Sequence, residues 1–414
     1  MPLAKNVRLV GYHDLQDKPG FKLGMQQVRD RWYLYLAHLW EPGWSILDVT
    51  NPAAPELVRF IEGPANTWTI QLQVADGKLI AGLERIAPNW GSDPKGPPHQ
   101  EGFYIWDVSE PTEPRKLGHW QSGGDGCHRN YYDGGRYVHA SAHLKGFNKR
   151  QYVCVDIADP ENPTIAGQWW LPGQNTAAGE RFSEMDAHNS GSPPSLSRRG
   201  DKHVQLHGGA YIEGRYAYCP WEGAGVVILD VSDVTAPRLA GHLRVDPPFS
   251  NMIPLHTVVP LPDRQLGVVN GESIKERCEE PLVMAGIIDV SDVSRPRLIS
   301  IFPLPEPVED FHRKGGRFGP HNQHQPQHQA CLQSSGDYIY LTYFNAGLQI
   351  FDISNPLRPT CAGHYIPDNP TKRLGPLPKD LVHQAEDVIV DARGYIYMTE
   401  KNSGVYVMEF TPAA

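Results

Sequence analysis

The stretch "VVILDVSDVTAPRLAGHL", Val226–Leu243, decides the fold, because the chain writes it again and again. An apolar run ends at an aspartate, a Ser/Thr-x-x-x-x-Pro segment follows, and a second short apolar run ends near Gly-His. The aspartate carboxylate can accept the amide hydrogens of the turn that follows it, and proline fixes the turn's φ, so the unit reads as strand, tight turn, strand. Further copies are "WSILDVTNPAAPELVRF" (44–60), "FYIWDVSEPTEPRKLGHW" (103–120), "YVCVDIADPENPTIAGQW" (152–169), "AGIIDVSDVSRPRLISIF" (285–302) and "LQIFDISNPLRPTCAGHY" (348–365). The aspartates fall at 48, 107, 156, 230, 289 and 352, and a degraded copy, "VYVMEFTP", puts Glu409 in their place.

Spacings of 49 to 74 residues leave room for a second hairpin before each copy, as in "RYAYCPWEGAGVVILDVS". That gives four strands per unit and predicts an all-β chain, a seven-bladed β-propeller of four-stranded blades. "NVRLVGYH" (6–13) matches the fourth strand of the other units, and the seventh copy lacks one. The N-terminal strand is therefore expected to close the last blade. Residues 1–414 read as one propeller domain, with insertions at 85–100, 171–206, 303–327 and 366–382 on one face.

The repeated I-(L/I)-D-(V/I)-S-x-P-x-x-P-x-L-x-G pattern resembles the LVIVD-repeat propeller proteins over nearly the whole chain. The resemblance implies the fold and no single chemistry, so function rests on the site.

The innermost strand of each blade starts at the top of the central channel. Three such starts align, His128, His207 and His256, each eight residues before an arginine at the bottom turn. His328 falls nearly in phase and His383 about three residues off it. Five imidazoles aimed at one axis need water, carboxylates or a cation to satisfy their lone pairs, and these five are the expected metal ligands. At the top of the second strands stand His38, Glu84, His143, Glu222, Glu272 and Glu400. Of these, Glu222, Glu272 and His143 are expected to move protons, while Glu84, Glu400 and His38 orient the ligand rings. For the four glutamates the competing structural reading is a salt bridge to a neighbour such as Lys275 or Lys401.

Other histidines have plainer readings. His13, His119, His242 and His364 recur in the outer strand and are structural; His188, His203, His321 and His324 read as solvated lid residues. Arg136, Arg215 and Arg264 are expected to serve the bottom turns, and Cys127 to be a buried thiol beside His128. Trp40, Trp68, Trp90, Trp221 and Phe344 lie near the predicted mouth and suit a partly apolar ligand.

A net charge of -9 argues against a general nucleic-acid or anionic-membrane binder. No run of 18 apolar residues suggests a membrane span. "MPLAKNVRLV" lacks the long apolar region of a signal peptide, and the six cysteines are scattered without a C-x-x-C pair. A cytoplasmic location with reduced thiols follows as the expectation. No P-loop, G-x-G-x-x-G unit or G-x-S-x-G elbow is present.

The function expected is that of a metal-dependent enzyme, a non-haem oxidoreductase or oxygenase acting on a small, partly apolar, potentially aromatic molecule. Imidazoles with carboxylates behind them suit iron first, then Mn, Cu or Zn. The arrangement is similar to the carotenoid-cleavage oxygenases, propellers whose axial histidines hold iron. One alternative is a metal-dependent hydrolase or lyase using a metal-bound water; another is a non-catalytic propeller that binds protein. The sequence leaves the oligomeric state open.

Overall fold

The computed structural model describes residues 2–181, 204–246, 248–305, 310–334 and 336–412. The strands follow one another as antiparallel four-stranded meanders. The first three are Gly20–Val28 to Glu56–Glu62, Thr67–Ala75 to Arg115–Trp120, and Gly123–Tyr131 to Thr164–Trp169. Single bridging pairs, His38 with Thr69 and Glu84 with Gly126, join these three into one 12-stranded sheet. Tyr211–Glu213 to Arg238–Leu243 and Ile253–Leu261 to Arg297–Ile301 form separate sheets.

The chain's first strands are divided between two sheets. Val7–His13 pairs with Gly404–Phe410, from Val7 opposite Phe410 to His13 opposite Val405, as the sequence predicts. Leu3–Lys5, which the sequence did not single out, pairs with Thr360–Ile366 in the sheet before it. The final meander in turn packs on the first, since Leu23, Leu34 and Leu36 share a core with Tyr397, Val405 and Val407. First and last elements thus join in a closed arrangement, which leaves few exposed edges. Similar apolar layers lie between other neighbours, as where Tyr152 and Cys154 meet Ala217 and Leu229. Each fully buried aliphatic residue there contributes about 1.5–3 kcal/mol.

The repeated aspartates do what their position suggests. Oδ1 of Asp48, Asp107, Asp156, Asp230, Asp289 and Asp352 each accepts the backbone N–H two residues on, at 2.8–3.0 Å. Arg136 and Arg215 pair with Asp156 and Asp230 of their own units, while Arg264 donates to the carbonyl of Ile353 at 2.6 Å. Outer-strand His119 and His242 bond the carbonyls of Glu101 and Ala224, at 2.8 and 2.7 Å. These arginines and histidines hold turns and strands together.

One strand assignment is corrected. The sequence placed an innermost strand at His328, but that position belongs to residues 321–324. His321 N–H donates to Thr342, Thr342 N–H to Asn322, and His324 N–H to Tyr340, all at 2.9 Å. Pro326 interrupts the pairing, and Gln327 and His328 turn the chain at φ 51° and 54°. The misplacement arose because this unit carries "SSGD" at its bottom turn, so no arginine fixed the alignment.

Candidate metal centre

Four imidazoles converge, one from each of four successive meanders. His128 and His207 ring centroids lie 4.6 Å apart, His207 and His256 4.7 Å, and His256 and His321 4.9 Å. All four are buried. Local backbone irregularity aims some of them: register breaks fall between Cys127 and Arg129 and between Ile253 and Thr257. A bulge of this kind re-aims side chains that strict alternation would send to opposite faces.

Each ring is held at Nδ1. His128 meets Glu84 at 2.5 Å, His207 meets Glu222 at 2.6 Å, His256 meets the Thr257 hydroxyl at 2.6 Å, and His321 meets Glu386 at 3.2 Å. With the Nδ1 hydrogens so engaged, the Nε2 lone pairs face the interior, where that of His256 accepts from Arg129 Nη2 at 3.0 Å. Nε2 of His128 and His207 face each other at 3.1 Å. Glu272 lies among the others, 3.4 Å from His207 Nε2, 3.5 Å from His256 Nε2 and 3.7 Å from His321 Nε2.

Cations secure the carboxylates. Arg150 reaches Glu84 at 3.0 Å and Glu222 at 3.6 Å, Arg317 reaches Glu272 at 3.0 Å, and Lys401 reaches Glu386 at 2.6 Å. Burial pushes His128 down to about 4, assisted by Arg150, and drives His207 and His256 well below the usual imidazole range. These rings are therefore neutral and able to donate a lone pair at pH 7. Burial alone would raise Glu84, but His128 and Arg150 outweigh it and hold the carboxyl at about 2. For Glu222 burial wins over Arg150, and its carboxyl is raised to about 8.

A cavity of about 310 Å³ opens beside the rings. Phe21, Trp68, Ile70, Trp90, Met252 and Ile274 are its apolar lining, and His128, His207, His321, Glu222, Glu272, Glu386 and three arginines the polar one. Trp90, from the 85–100 insertion, stands edge-on to Trp68 at 5.7 Å, with the Arg317 guanidinium 4.8 Å over its ring. Phe344 stacks on His321 at 4.8 Å. Trp40 donates to the Trp90 carbonyl at 3.0 Å, and Trp221 packs against Trp169.

Several predicted positions fall elsewhere. His328 is 43% exposed in a separate groove of about 590 Å³ with Arg264, where Nε2 meets the Ile212 carbonyl at 2.9 Å. His383 is fully buried but outside the cluster, because the corresponding inner position three residues on is Glu386. His38 is a satisfied core residue, bonded to Pro19 and Ser45 at 3.1 and 2.8 Å, and burial lowers it to about 3. His143 is tied to Phe147 and Asp125 and does not line the cavity. Glu400 accepts from Gln384 N–H, Asn402 N–H and Ser403, so it shapes a loop and touches no ring of the cluster.

Sequence reasoning missed His321, which it placed in the lid, together with Glu386, Thr257, Arg129, Arg150 and Arg317. The three-residue offset of His383 was the available signal for Glu386. His324 is not a lid residue either; its Nδ1 accepts from Val390 N–H at 3.1 Å. Cys127 is a buried thiol as expected, raised far above its usual value by burial. His188 and His203 lie outside the described residues.

The donor set fits a divalent transition metal. Two nitrogens 3.1 Å apart, each about 2.1 Å from one ion, subtend about 95° at it. Among the described residues, His207, His256 and Glu272 also bring three ligand atoms within 4.8 Å of one another.

Comparison with known proteins agrees with this architecture. The LVIVD repeat matches residues 32–61, 210–245 and 332–366, so the chain carries this repeat at three places. No curated protein matches it. Among solved structures it is similar to the periplasmic gluconolactonase PpgL of Pseudomonas aeruginosa, with 12% identity, TM-score 0.56, and 92% of this chain and 98% of that one covered. It is also similar to the β-propeller domain of Myceliophteria thermophila Cps50 (Swd1), with 11% identity, TM-score 0.51 and 99% of both chains covered. At these identities the likeness shows a propeller fold alone.

Proposed function

We propose that this protein is a metal-dependent enzyme, a non-haem oxidoreductase acting on a small, partly apolar molecule, built on a seven-bladed propeller. Nε2 of His128, His207, His256 and His321 would hold the metal near the axis, with Arg129 Nη2 giving up His256 Nε2 when the ion enters, iron in preference to Mn, Cu or Zn. The observation that carries this reading is the 3.1 Å approach of two Nε2 atoms whose Nδ1 sides are both occupied by carboxylates. With hydrogens on both Nδ1 atoms the two Nε2 lone pairs face each other and a cation between them satisfies both, whereas a hydrogen on one Nε2 makes the same approach a ring-to-ring hydrogen bond.

Such a metal supplies Lewis acidity and, if iron, electron transfer toward O2. The chain's own residues do the rest. Glu84, Glu222, Glu386 and Thr257 fix the ring orientations, and Trp68, Trp90 and Phe21 exclude water from one side of the ligand. Glu272 can accept a proton at Oε2, within reach of the bound molecule.

Hydrolysis or elimination is a second reading, favoured by the proximity of Glu272 to His207 and His256, a His/His/carboxylate set. A propeller described as a gluconolactonase shares the fold at low identity. Six free cysteines support a cytoplasmic setting, and no described helix is long and apolar enough to cross a membrane. The negative net charge supports a small-molecule partner over nucleic acid or a membrane surface.

Elemental analysis of protein purified without an affinity tag tests the metal. One equivalent is expected in the unmodified chain and little in His207→Ala or His256→Ala; full occupancy in both variants refutes the centre. Activity that needs O2 favours the first reading, and activity that survives anaerobically with zinc favours the second.

A further inference from the structure

The cations around the imidazoles are not equivalent. Arg150, Arg317 and Lys401 each meet a glutamate at 2.6–3.0 Å, and Lys22 meets Asp387 at 3.0 Å. Arg129 differs. It is 5% exposed, yet no carboxylate lies within ion-pair distance of it among the described residues. Its Nη2 donates to His256 Nε2 at 3.0 Å, while Nε and Nη1 have no hydrogen-bond partner. The register break between Cys127 and Arg129 lets this side chain line the cavity together with its neighbour His128.

Glu272 and Asp387 act on this buried guanidinium through space without contacting it, and its two unsatisfied donors remain costly. Three glutamates line this cavity, and none of them makes an ion pair with Arg129. Trp68 and Trp90 give the cavity an aromatic side that suits a flat apolar group, while Phe21 lies beside Arg129, whose guanidinium is 5.7 Å from its ring centroid. We infer that Arg129 is the anion-binding residue of the cavity and that the ligand is an apolar or aromatic carboxylate, its acid group against Arg129 and its ring on the tryptophan wall. This deepens the small-molecule reading above and does not depend on which metal is bound.

The test compares 3-phenylpropionate with the isosteric 3-phenylpropionamide by calorimetric titration of the intact protein, both metal-loaded and chelator-stripped. The unmodified protein is expected to bind the acid at least tenfold more tightly than the amide in both forms, and acetate more weakly than either aromatic probe. Arg129→Met is expected to erase the acid preference, and Arg129→Lys to keep part of it. Equal binding of acid and amide, no binding of the acid at millimolar concentration, or a preference that survives Arg129→Met would overturn the inference. Acetate binding as tightly as 3-phenylpropionate would also overturn it, since the site would then take small anions. The comparison on the unmodified protein needs no variant to fold. Metal content of the same samples keeps the two readings apart. Protein that takes up no metal on loading yet prefers the acid removes only the metal centre, whereas loaded protein without the preference removes only the role of Arg129.

Discussion

Replacing Glu84 by glutamine separates orientation of a ligand ring from simple packing. Glu84 holds His128 Nδ1 at 2.5 Å and Arg150 at 3.0 Å. Glutamine keeps the size and can still accept a hydrogen bond, but it removes the negative charge that makes His128 a stronger donor at Nε2. Loss of such a partner weakens metal binding by about 10- to 100-fold, or about 1.4–2.7 kcal/mol. Folding should suffer less, because Arg150 keeps Glu222 at 3.6 Å and is not stranded. The carboxyl of Glu84 sits at about 2, so the effect should be constant across the working pH range. The assay is competitive titration of the chelator-stripped protein with Co(II) or Fe(II), anaerobically. Glu400→Gln serves as the control, since that carboxylate touches no ring of the cluster. Equal affinity of Glu84→Gln and the unmodified protein would refute the assignment of Glu84 to the centre.

Three further outcomes are expected. His321→Ala should release the metal, whereas His328→Ala and His383→Ala should retain it by elemental analysis; the reverse would restore the alignment drawn from sequence. Asp387→Asn should cost about 3–5 kcal/mol in chemical denaturation, because it strands the buried Lys22 ammonium 3.0 Å away. Acidification should destabilise the metal-free protein. His38, His128, His139 and His324 are lowered by burial to between about 3 and 4, so the unfolded chain binds more protons below its imidazole value of 6.5. Stability is therefore fully present above pH 6.5 and falls as pH drops toward 4, which calorimetric melting across that window would show.

The repeat was legible because its residues serve the backbone. Aspartate, proline and glycine at fixed offsets are demanded by turn geometry, and Asp48 through Asp352 all cap the turns their spacing suggests. The closing strand was legible for the same reason, as "VRLVGYH" carries the outer-strand pattern. The centre was only half legible. His128 and His256 sit on inner strands, and His207 lies just before one, whose bottom turns contain the arginine that fixed their phase. His321 does not, since its strand is replaced by a few bridging hydrogen bonds before Pro326. Arg129 could not be read at all, because alternation sends a residue next to His128 to the other face unless a bulge intervenes.

Charge links the two proposals made for this cavity. Glu84, Glu222, Glu272, Glu386 and Asp387 provide five carboxylates close to the imidazoles, and Lys22, Arg129, Arg150, Arg317 and Lys401 provide five cations. With every group ionised the cluster is neutral before any metal enters, and neutral imidazoles add nothing. A divalent ion would then leave a surplus of two positive charges in a buried space, where uncompensated charge is expensive. A proton on Glu222, whose carboxyl is raised to about 8, would enlarge that surplus. An anionic ligand reduces it, and Arg129 is the one of these five cations that makes no ion pair with a carboxylate among the described residues. Metal and carboxylate should therefore bind with positive cooperativity, each raising the affinity of the other by the same factor. Titrating 3-phenylpropionate at fixed metal, and metal at fixed 3-phenylpropionate, measures that factor twice. Binding of the acid that weakens when metal is loaded would show that the two compete for one position, and the charge argument would fail.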